Sequence, residues 1–178
     1  MPADISLRRR AALFDRDGVL NVDVGYAHRP EQLVFVDGAP QAVRRLNDAG
    51  WLVAVVTNQA GVARGFYDEA AVHVFHDAMN AALARHGARI DAFYHSPFHE
   101  DGVVEAYRHH DHPDRKPNPG MLLRALKDFQ VAADDAFMIG DRDSDMQAAE
   151  RAGVKGYLFG GGDLDALVER ILAERGAG

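Results

Sequence analysis

The sequence predicts an α/β protein: a three-layer, Rossmann-like parallel sheet with helices on both faces and no large cap domain. Brief apolar runs recur along the chain and each stops at polar residues. Amphipathic helical patterns fill the gaps between them, and strand–helix alternation of this kind implies parallel strands joined by right-handed crossovers. The first run, residues 11–15 (Ala-Ala-Leu-Phe-Asp), reads as a buried strand opening into a loop at Gly18. Residues 52–57, 92–96 and 136–140 repeat the pattern, and 156–159 supply a fifth strand. Helices follow Asp37 (Ala39, Val43 and Leu46, closing at Gly50) and Asp68 (Val72, Phe75, Met79 and Leu83, closing at Gly87). Asn118-Pro119 starts a third helix, Asp143 a fourth that ends at Gly153, and Asp163 a fifth through Leu164, Leu167 and Ile171.

Composition narrows the function. A chain of 178 residues, 47% hydrophobic, suits one well-buried core, so residues 1–178 are expected to form a single domain. The formal charge of −7 and pI near 5.7 argue against a nucleic-acid surface, while leaving room for a local basic pocket and a small phosphorylated metabolite. There is no run long and apolar enough for a membrane span, no signal-peptide pattern and no cysteine. The expectation is a cytoplasmic protein without a membrane or nucleic-acid partner, a monomer by default.

In open α/β sheets ligands gather beyond the carboxyl ends of the strands, so the polar strand ends are the candidate site. Phe14-Asp15-Arg16-Asp17-Gly18 sets two carboxylates two residues apart at such an end, and Gly140-Asp141-Arg142-Asp143-Ser144-Asp145 brings more acid at another. Carboxylates that crowd together repel unless a cation lies between them, and hard oxygen ligands suit Mg²⁺. Phosphoryl transfer asks for a nucleophile, a neutralising cation and prearranged donors. Asp15 can attack, Asp17 can protonate the leaving oxygen and then activate water, Thr57 and Asn58 can donate to a phosphate, and Lys116 can hold charge against both phosphate and Asp15. Each segment alone also reads as an ordinary turn or helix entrance. Their order along the chain, each at a strand end or helix start, favours the catalytic reading. The connection from Ser96 to Lys116 is long, with histidines at 95, 99, 109, 110 and 112, and lies at the same sheet edge, where it can shape a pocket.

These residues resemble the haloacid dehalogenase (HAD) superfamily of phosphatases over roughly residues 11–160. More narrowly, Asp15 to Tyr26, Val56 to Gly65 and Arg115 to Met121 resemble the D-glycero-D-manno-heptose 1,7-bisphosphate 7-phosphatases, a pattern the histidinol-phosphate phosphatases share. The resemblance implies a nucleophile at Asp15, an acid/base at Asp17, and Mg²⁺ held by Asp15, the Asp17 backbone carbonyl and Asp141. It implies substrate contacts from Asp23, Val24, Gly25 and Tyr26, from Thr57, Asn58, Gln59 and Ala60, and from Arg115, Lys116 and Arg142, the last standing where this family commonly has lysine. It also implies that a loop at about 96–116 selects substrate in place of a cap. Typical members bind structural zinc there through a Cys-x-His and a Cys-x-Cys pair. The matching positions are Ser96, Phe98, His112 and Asp114, so no structural zinc is expected.

The expected activity is Mg²⁺-dependent hydrolysis of a sugar phosphate, the 7-phosphate of the heptose bisphosphate, through an aspartyl-phosphate. Arg64, Arg115 and Arg142 are phosphate-compatible donors beyond Lys116, which favours a bisphosphate over histidinol phosphate. The competing readings are a histidinol-phosphate phosphatase, a polynucleotide 3′-phosphatase, disfavoured by the acidic surface, and a non-catalytic phosphate-binding module, disfavoured by the intact Asp15 and Asp17.

Overall fold

The computed structural model describes residues 8–176. Five parallel strands, β1 (Ala11–Phe14), β2 (Leu52–Asn58), β3 (Ala92–Ser96), β4 (Ala136–Gly140) and β5 (Lys155–Leu158), form one sheet in the order β3-β2-β1-β4-β5. The chain leaves β1 toward β2 and β3, then returns to the other side of β1 with β4. The strand order therefore reverses between β1 and β4, where open α/β sheets form their ligand crevice. Register aligns Phe14 with Val55 on one side and with Ile139 on the other, and the Asp15 amide donates to the Ile139 carbonyl at 2.9 Å. Asp15 and Asp141 thus leave neighbouring strands side by side.

Side chains alternate between the two faces of the sheet, as a strand's two-residue period requires. Ala12, Phe14, Val53, Val55, Phe137 and Ile139 face one apolar core. Helices α1 (Ala39–Asp48), α2 (Glu69–Ala84) and α5 (Leu164–Gly176) cover that face through residues such as Leu46, Phe75 and Ile171. Ala11, Leu13, Ala54, Val56, Ala136 and Met138 face the other core, under α3 (Gly120–Phe129) and α4 (Asp143–Arg151). Central strands buried on both faces explain why their sequences are continuous apolar runs rather than alternating ones.

Two helix starts follow the expected capping chemistry. The Asp68 carboxylate accepts from the Ala71 amide at 2.9 Å, and Asp163 accepts from the amides of Asp165 and Ala166 at 2.9 and 3.3 Å. Asp37 does not cap α1. Gly38 takes that position with φ +76°, and the Asp37 carbonyl accepts instead from the Leu164 amide, tying the start of α1 to α5. The third helix begins at Gly120 rather than at Asn118-Pro119, because the Asn118 side chain is drawn back to Asp111 and to the His112 carbonyl. Strand ends shift by one residue at 15, 58, 155 and 159 relative to expectation.

The described residues carry no separate cap domain. The 96–116 connection contains a short 3₁₀ turn at Glu105–Tyr107 and is pinned by backbone bonds from His99 to Tyr107 and from His109 to His99. No helix among the described residues is long and apolar enough to cross a membrane.

Candidate active site

At the switch point the Lys116 ammonium lies between two carboxylates, 2.9 Å from Asp15 Oδ1 and 2.6 Å from Asp145 Oδ1. All three side chains are almost wholly buried. The second oxygen of Asp145 accepts from the amides of Asp141 and Arg142, both at 3.1 Å, so this carboxylate is locked to the start of α4, where the helix dipole favours negative charge. Two glycines make the close packing feasible. A Cβ on Gly140 would overlap the Asp145 side chain, and one on Gly18, whose φ of +85° also demands glycine, would overlap the Asp141 carboxylate.

Oxygens of Asp15, Asp141 and Asp145 lie within 4.8 Å of one another. Burial pushes Asp15 up to about 7, with Lys116 opposing and Asp145 adding to the rise. Burial and then Asp145 likewise raise Asp141, whose Oδ1 is buried and has no hydrogen-bond partner. Burial disfavours the Lys116 ammonium, yet Asp15 and Asp145 outweigh it and raise its pKa. A carboxylate cluster that one lysine does not neutralise, with an orphaned oxygen among all-oxygen donors, fits a hard divalent cation.

A pocket of about 520 Å³ opens over this cluster. It is lined by Asp15, Asp17, Asp23, Gly25, Tyr26, Thr57, Asn58, Gln59, Ala60, Arg64, Arg115, Lys116 and Arg142 among the expected residues. Val24 is half exposed and outside that lining. Tyr67, His99, Ser144 and Asp145 line it too; of these, His99, Ser144 and Asp145 stood in segments the sequence pointed to without being given a site role, and Tyr67 did not. Asp145 had a signal: it follows Asp141 by four residues in the same acidic segment and stands in the first turn of α4. The Asn58 side chain exchanges two hydrogen bonds of 3.0 Å with the Lys116 backbone, its amide donating and its oxygen accepting. The Asn58 side chain therefore places Lys116. Thr57 is buried and its hydroxyl oxygen accepts from the Gln59 amide at 2.9 Å.

Three arginines divide into two kinds. Arg142 reaches out to Asp23 at 3.2 Å and is largely exposed. It does not pair with Asp145, which Lys116 occupies. Arg115 donates to the Phe98 carbonyl at 3.1 Å and is pushed down by burial and by the neighbouring Arg64. Arg64 lies 3.4 Å from His99 Nε2, and its buried Nε has no acceptor. Burial, Arg115 and Arg64 together hold the His99 pKa below its usual range. Among the described residues neither Arg64 nor Arg115 has a carboxylate within ion-pair distance.

The loop histidines are used separately. Phe98 stacks on His112 with ring centres 3.6 Å apart, and His109 packs edge-on against His112 at 4.9 Å. His95 meets Glu69 at 2.7 Å, and Glu69 also accepts from the Tyr107 hydroxyl at 2.8 Å. Among the described residues the only group spaced to ligate a metal is Asp15, Asp141 and Asp145.

His76, under the pocket, is buried against Phe93, and burial followed by Arg16 takes its pKa down to about 2. The unfolded chain protonates it near 6.5. The unfolded state therefore binds the extra proton between these values, and stability falls as pH drops below about 6.5, by about 1.4 kcal/mol per pH unit. His76→Gln keeps an acceptor and removes the titration. Urea denaturation from pH 7 to pH 4.5 is expected to show a flatter acid decline for the variant than for the wild type.

A carboxylate–lysine–carboxylate cluster at the switch point of a 3-2-1-4-5 parallel sheet defines a HAD-like phosphatase. Residues 114–174 match the family model described as HAD-hydrolase-like. The D-glycero-beta-D-manno-heptose-1,7-bisphosphate 7-phosphatase of Rhodopseudomonas palustris is 44% identical over 168 residues, which is 94% of this chain and 92% of that protein. The D-glycero-alpha-D-manno-heptose-1,7-bisphosphate 7-phosphatase of Burkholderia mallei is 40% identical over 83% of this chain and 78% of its own. The crystal structure of the D,D-heptose 1,7-bisphosphate phosphatase from B. bronchiseptica, complexed with magnesium and phosphate, superposes with a TM-score of 0.79 at 32% identity, covering 93% of this chain and 99% of that one. The chain belongs to the heptose-1,7-bisphosphate 7-phosphatase family of HAD-like hydrolases, and it is a phosphoric monoester hydrolase.

Proposed function

We propose that this protein removes the 7-phosphate of D-glycero-D-manno-heptose 1,7-bisphosphate through an aspartyl-phosphate on Asp15. The observation that carries the substrate assignment is the Arg64–Arg115 pair. Two cations that repel each other, partly buried and without a carboxylate, form a site that an anion would relieve. Both line the pocket that holds Asp15, so a substrate with a second, non-reacting phosphate satisfies both ends of the pocket at once. Histidinol phosphate would leave the arginines uncompensated.

In the first step Asp15 forms a bond to phosphorus as the ester P–O bond breaks, and Asp17 gives its proton to the departing sugar oxygen. In the second, Asp17 takes a proton from water, which attacks the phosphorus and restores the Asp15 carboxylate. Lys116 stabilises charge on Asp15 and on the phosphoryl oxygens throughout. Asp15 and Asp141, with the Asp17 backbone carbonyl, would hold Mg²⁺, which when bound neutralises charge on the phosphate. The named relatives divide between the alpha and beta anomers, and the reading extends to the bisphosphate without choosing one.

The test is a specificity ratio. Arg115→Ala is expected to lower kcat/KM for the heptose 1,7-bisphosphate by about 10–100-fold, the worth of a charge-assisted hydrogen bond, and for p-nitrophenyl phosphate by no more than about 3-fold. Equal losses, or a wild-type preference for histidinol phosphate, would mean the substrate assignment is wrong even where the chemistry stands.

A further inference from the structure

We infer that Arg16, Asn21 and Gln59, backed by Tyr67, are positioning residues that hold the Asp17 carboxylate in place for proton transfer. The inference rests on the phosphatase reading and on Asp17 as its acid and base, and it is independent of which sugar is the substrate. Five N–H···O contacts converge on this one side chain. Arg16 presents Nε and Nη2 to Oδ1 at 3.2 and 3.1 Å and Nη2 again to Oδ2 at 3.1 Å. Asn21 Nδ2 donates to Oδ1 at 3.0 Å, and Gln59 Nε2 donates to Oδ2 at 3.1 Å.

Every one of these donors is itself anchored. Arg16 is wholly buried and the largest such side chain among the described residues. Its Nη2 also donates to the Ala27 carbonyl at 2.7 Å, its Nη1 lies 3.3 Å from His76 Nε2, and its guanidinium lies 4.4 Å over the Phe75 ring. The low pKa of His76 keeps the ring neutral, so Nε2 accepts. Asn21 is wholly buried as well. The Tyr67 hydroxyl donates to Gln59 Oε1 at 2.7 Å, which orients the amide so that its NH₂ faces Asp17 and Thr57, and the Tyr67 ring is stacked on His28.

The choice of partner carries the argument. Burying a guanidinium costs several kcal/mol, and a buried ion pair seldom repays that as stability. Among the described residues, the carboxylate that Arg16 meets is the one assigned to move a proton. A general acid loses efficiency steeply when its oxygen strays from the proton's path, and a planar fork on one side with a fixed amide on the other removes the freedom of the Asp17 χ angles. A purely structural account makes Arg16 a stitch between Asp17 and Ala27 that fixes the loop. That account leaves unexplained why Gln59, from a different strand end, is aimed at the same carboxylate by a tyrosine.

The two accounts separate on the leaving group. p-Nitrophenolate departs without a proton, whereas phenolate needs one, so a displaced Asp17 penalises phenyl phosphate and spares p-nitrophenyl phosphate in kcat/KM, which reports the first phosphoryl transfer. Asp17→Asn sets the reference pattern. Gln59→Leu and Tyr67→Phe, together with Arg16→Met, are expected to lower kcat/KM for phenyl phosphate by about 10–100-fold, part of the about 10²–10⁴-fold that acid–base catalysis supplies. For p-nitrophenyl phosphate the Tyr67 and Arg16 variants should stay within about 3-fold, because that leaving group makes little use of the acid, and Gln59→Leu should lose less on this ester than on phenyl phosphate. Should Arg16→Met fail to fold, the Gln59 and Tyr67 variants decide alone. Parallel losses on both substrates, or no loss on either, would overturn the positioning role. A wild type that turns over neither ester would overturn the phosphatase reading itself, a result distinguishable from the first.

Discussion

Asp15→Asn is expected to lower turnover by at least about 10⁴-fold, the scale seen when a nucleophile is removed, while the fold survives. The amide is neither a competent nucleophile nor an anionic ligand for a cation. Stability should be kept because the native carboxylate is held at a cost. Its pKa rises from 3.8 to about 7 on folding, chiefly through burial. For an acid raised in this way the unfolded state ionises first, so the charged group opposes folding increasingly from about pH 4 up to about pH 7 and fully above that. The substitution removes that opposition and also the pairing with Lys116, which keeps Asp145 at 2.6 Å. Thermal denaturation at pH 8 without divalent cation is expected to give the variant a Tm no lower than the wild type, a trade of stability for activity common at active sites. Near-wild-type hydrolysis of p-nitrophenyl phosphate by the variant would refute the aspartyl-phosphate mechanism.

How much of this site was legible follows from where each residue's role is decided. Asp15, Asp17, Lys116 and Asp141 stand at strand ends or just before a helix, and a parallel sheet brings such ends together whatever the details, so their convergence could be expected from order alone. The sheet itself was legible because strands buried on both faces must be apolar runs. Asp68 and Asp163 were legible as caps because the capping bond is local. Asp37 was not, since a tertiary bond from α5 takes its carbonyl and the chain turns at Gly38. For Asn58, the contact between its side chain and Lys116 was not legible, for a similar reason. Its donor chemistry was plain, but the recipient, the backbone of a residue 58 positions away, is set by how the loop before α3 folds back. The buried environment of Arg16 was not legible. It stands between two aspartates in the chain, and only three-dimensional packing against Phe75 and His76 makes it a buried fork.

The second large effect is expected at Lys116→Met, and there activity and stability should fall together. The ammonium has two buried carboxylates within 3 Å and no other cation of the pocket meets them, because Arg115 is held on the Phe98 carbonyl, Arg64 lies against His99 and Arg142 is held by Asp23. Removing one member of a buried ion pair leaves the other uncompensated at a cost of about 3–5 kcal/mol. Here one removal strands both Asp15 and Asp145. The deficit has a pH signature. Without Lys116 to oppose it, burial raises the Asp15 carboxyl further above its unfolded value, so the cost is present while Asp15 ionises and shrinks as falling pH protonates it. Urea denaturation is therefore expected to show a larger deficit at pH 8 than at pH 5.5. Turnover should drop by at least about 10²–10³-fold, the effect of removing one prearranged charge-stabilising donor. Lys116→Arg should not rescue it, since a planar guanidinium cannot occupy a space built for a point charge at 2.6 and 2.9 Å from two oxygens. Adding Asp145→Asn to Lys116→Met removes one stranded charge and should recover part of the stability with none of the activity. A deficit below about 1 kcal/mol at pH 8, the size of an exposed pair, would show that the lysine is solvated in solution and that the buried cluster is not what holds this end of the sheet.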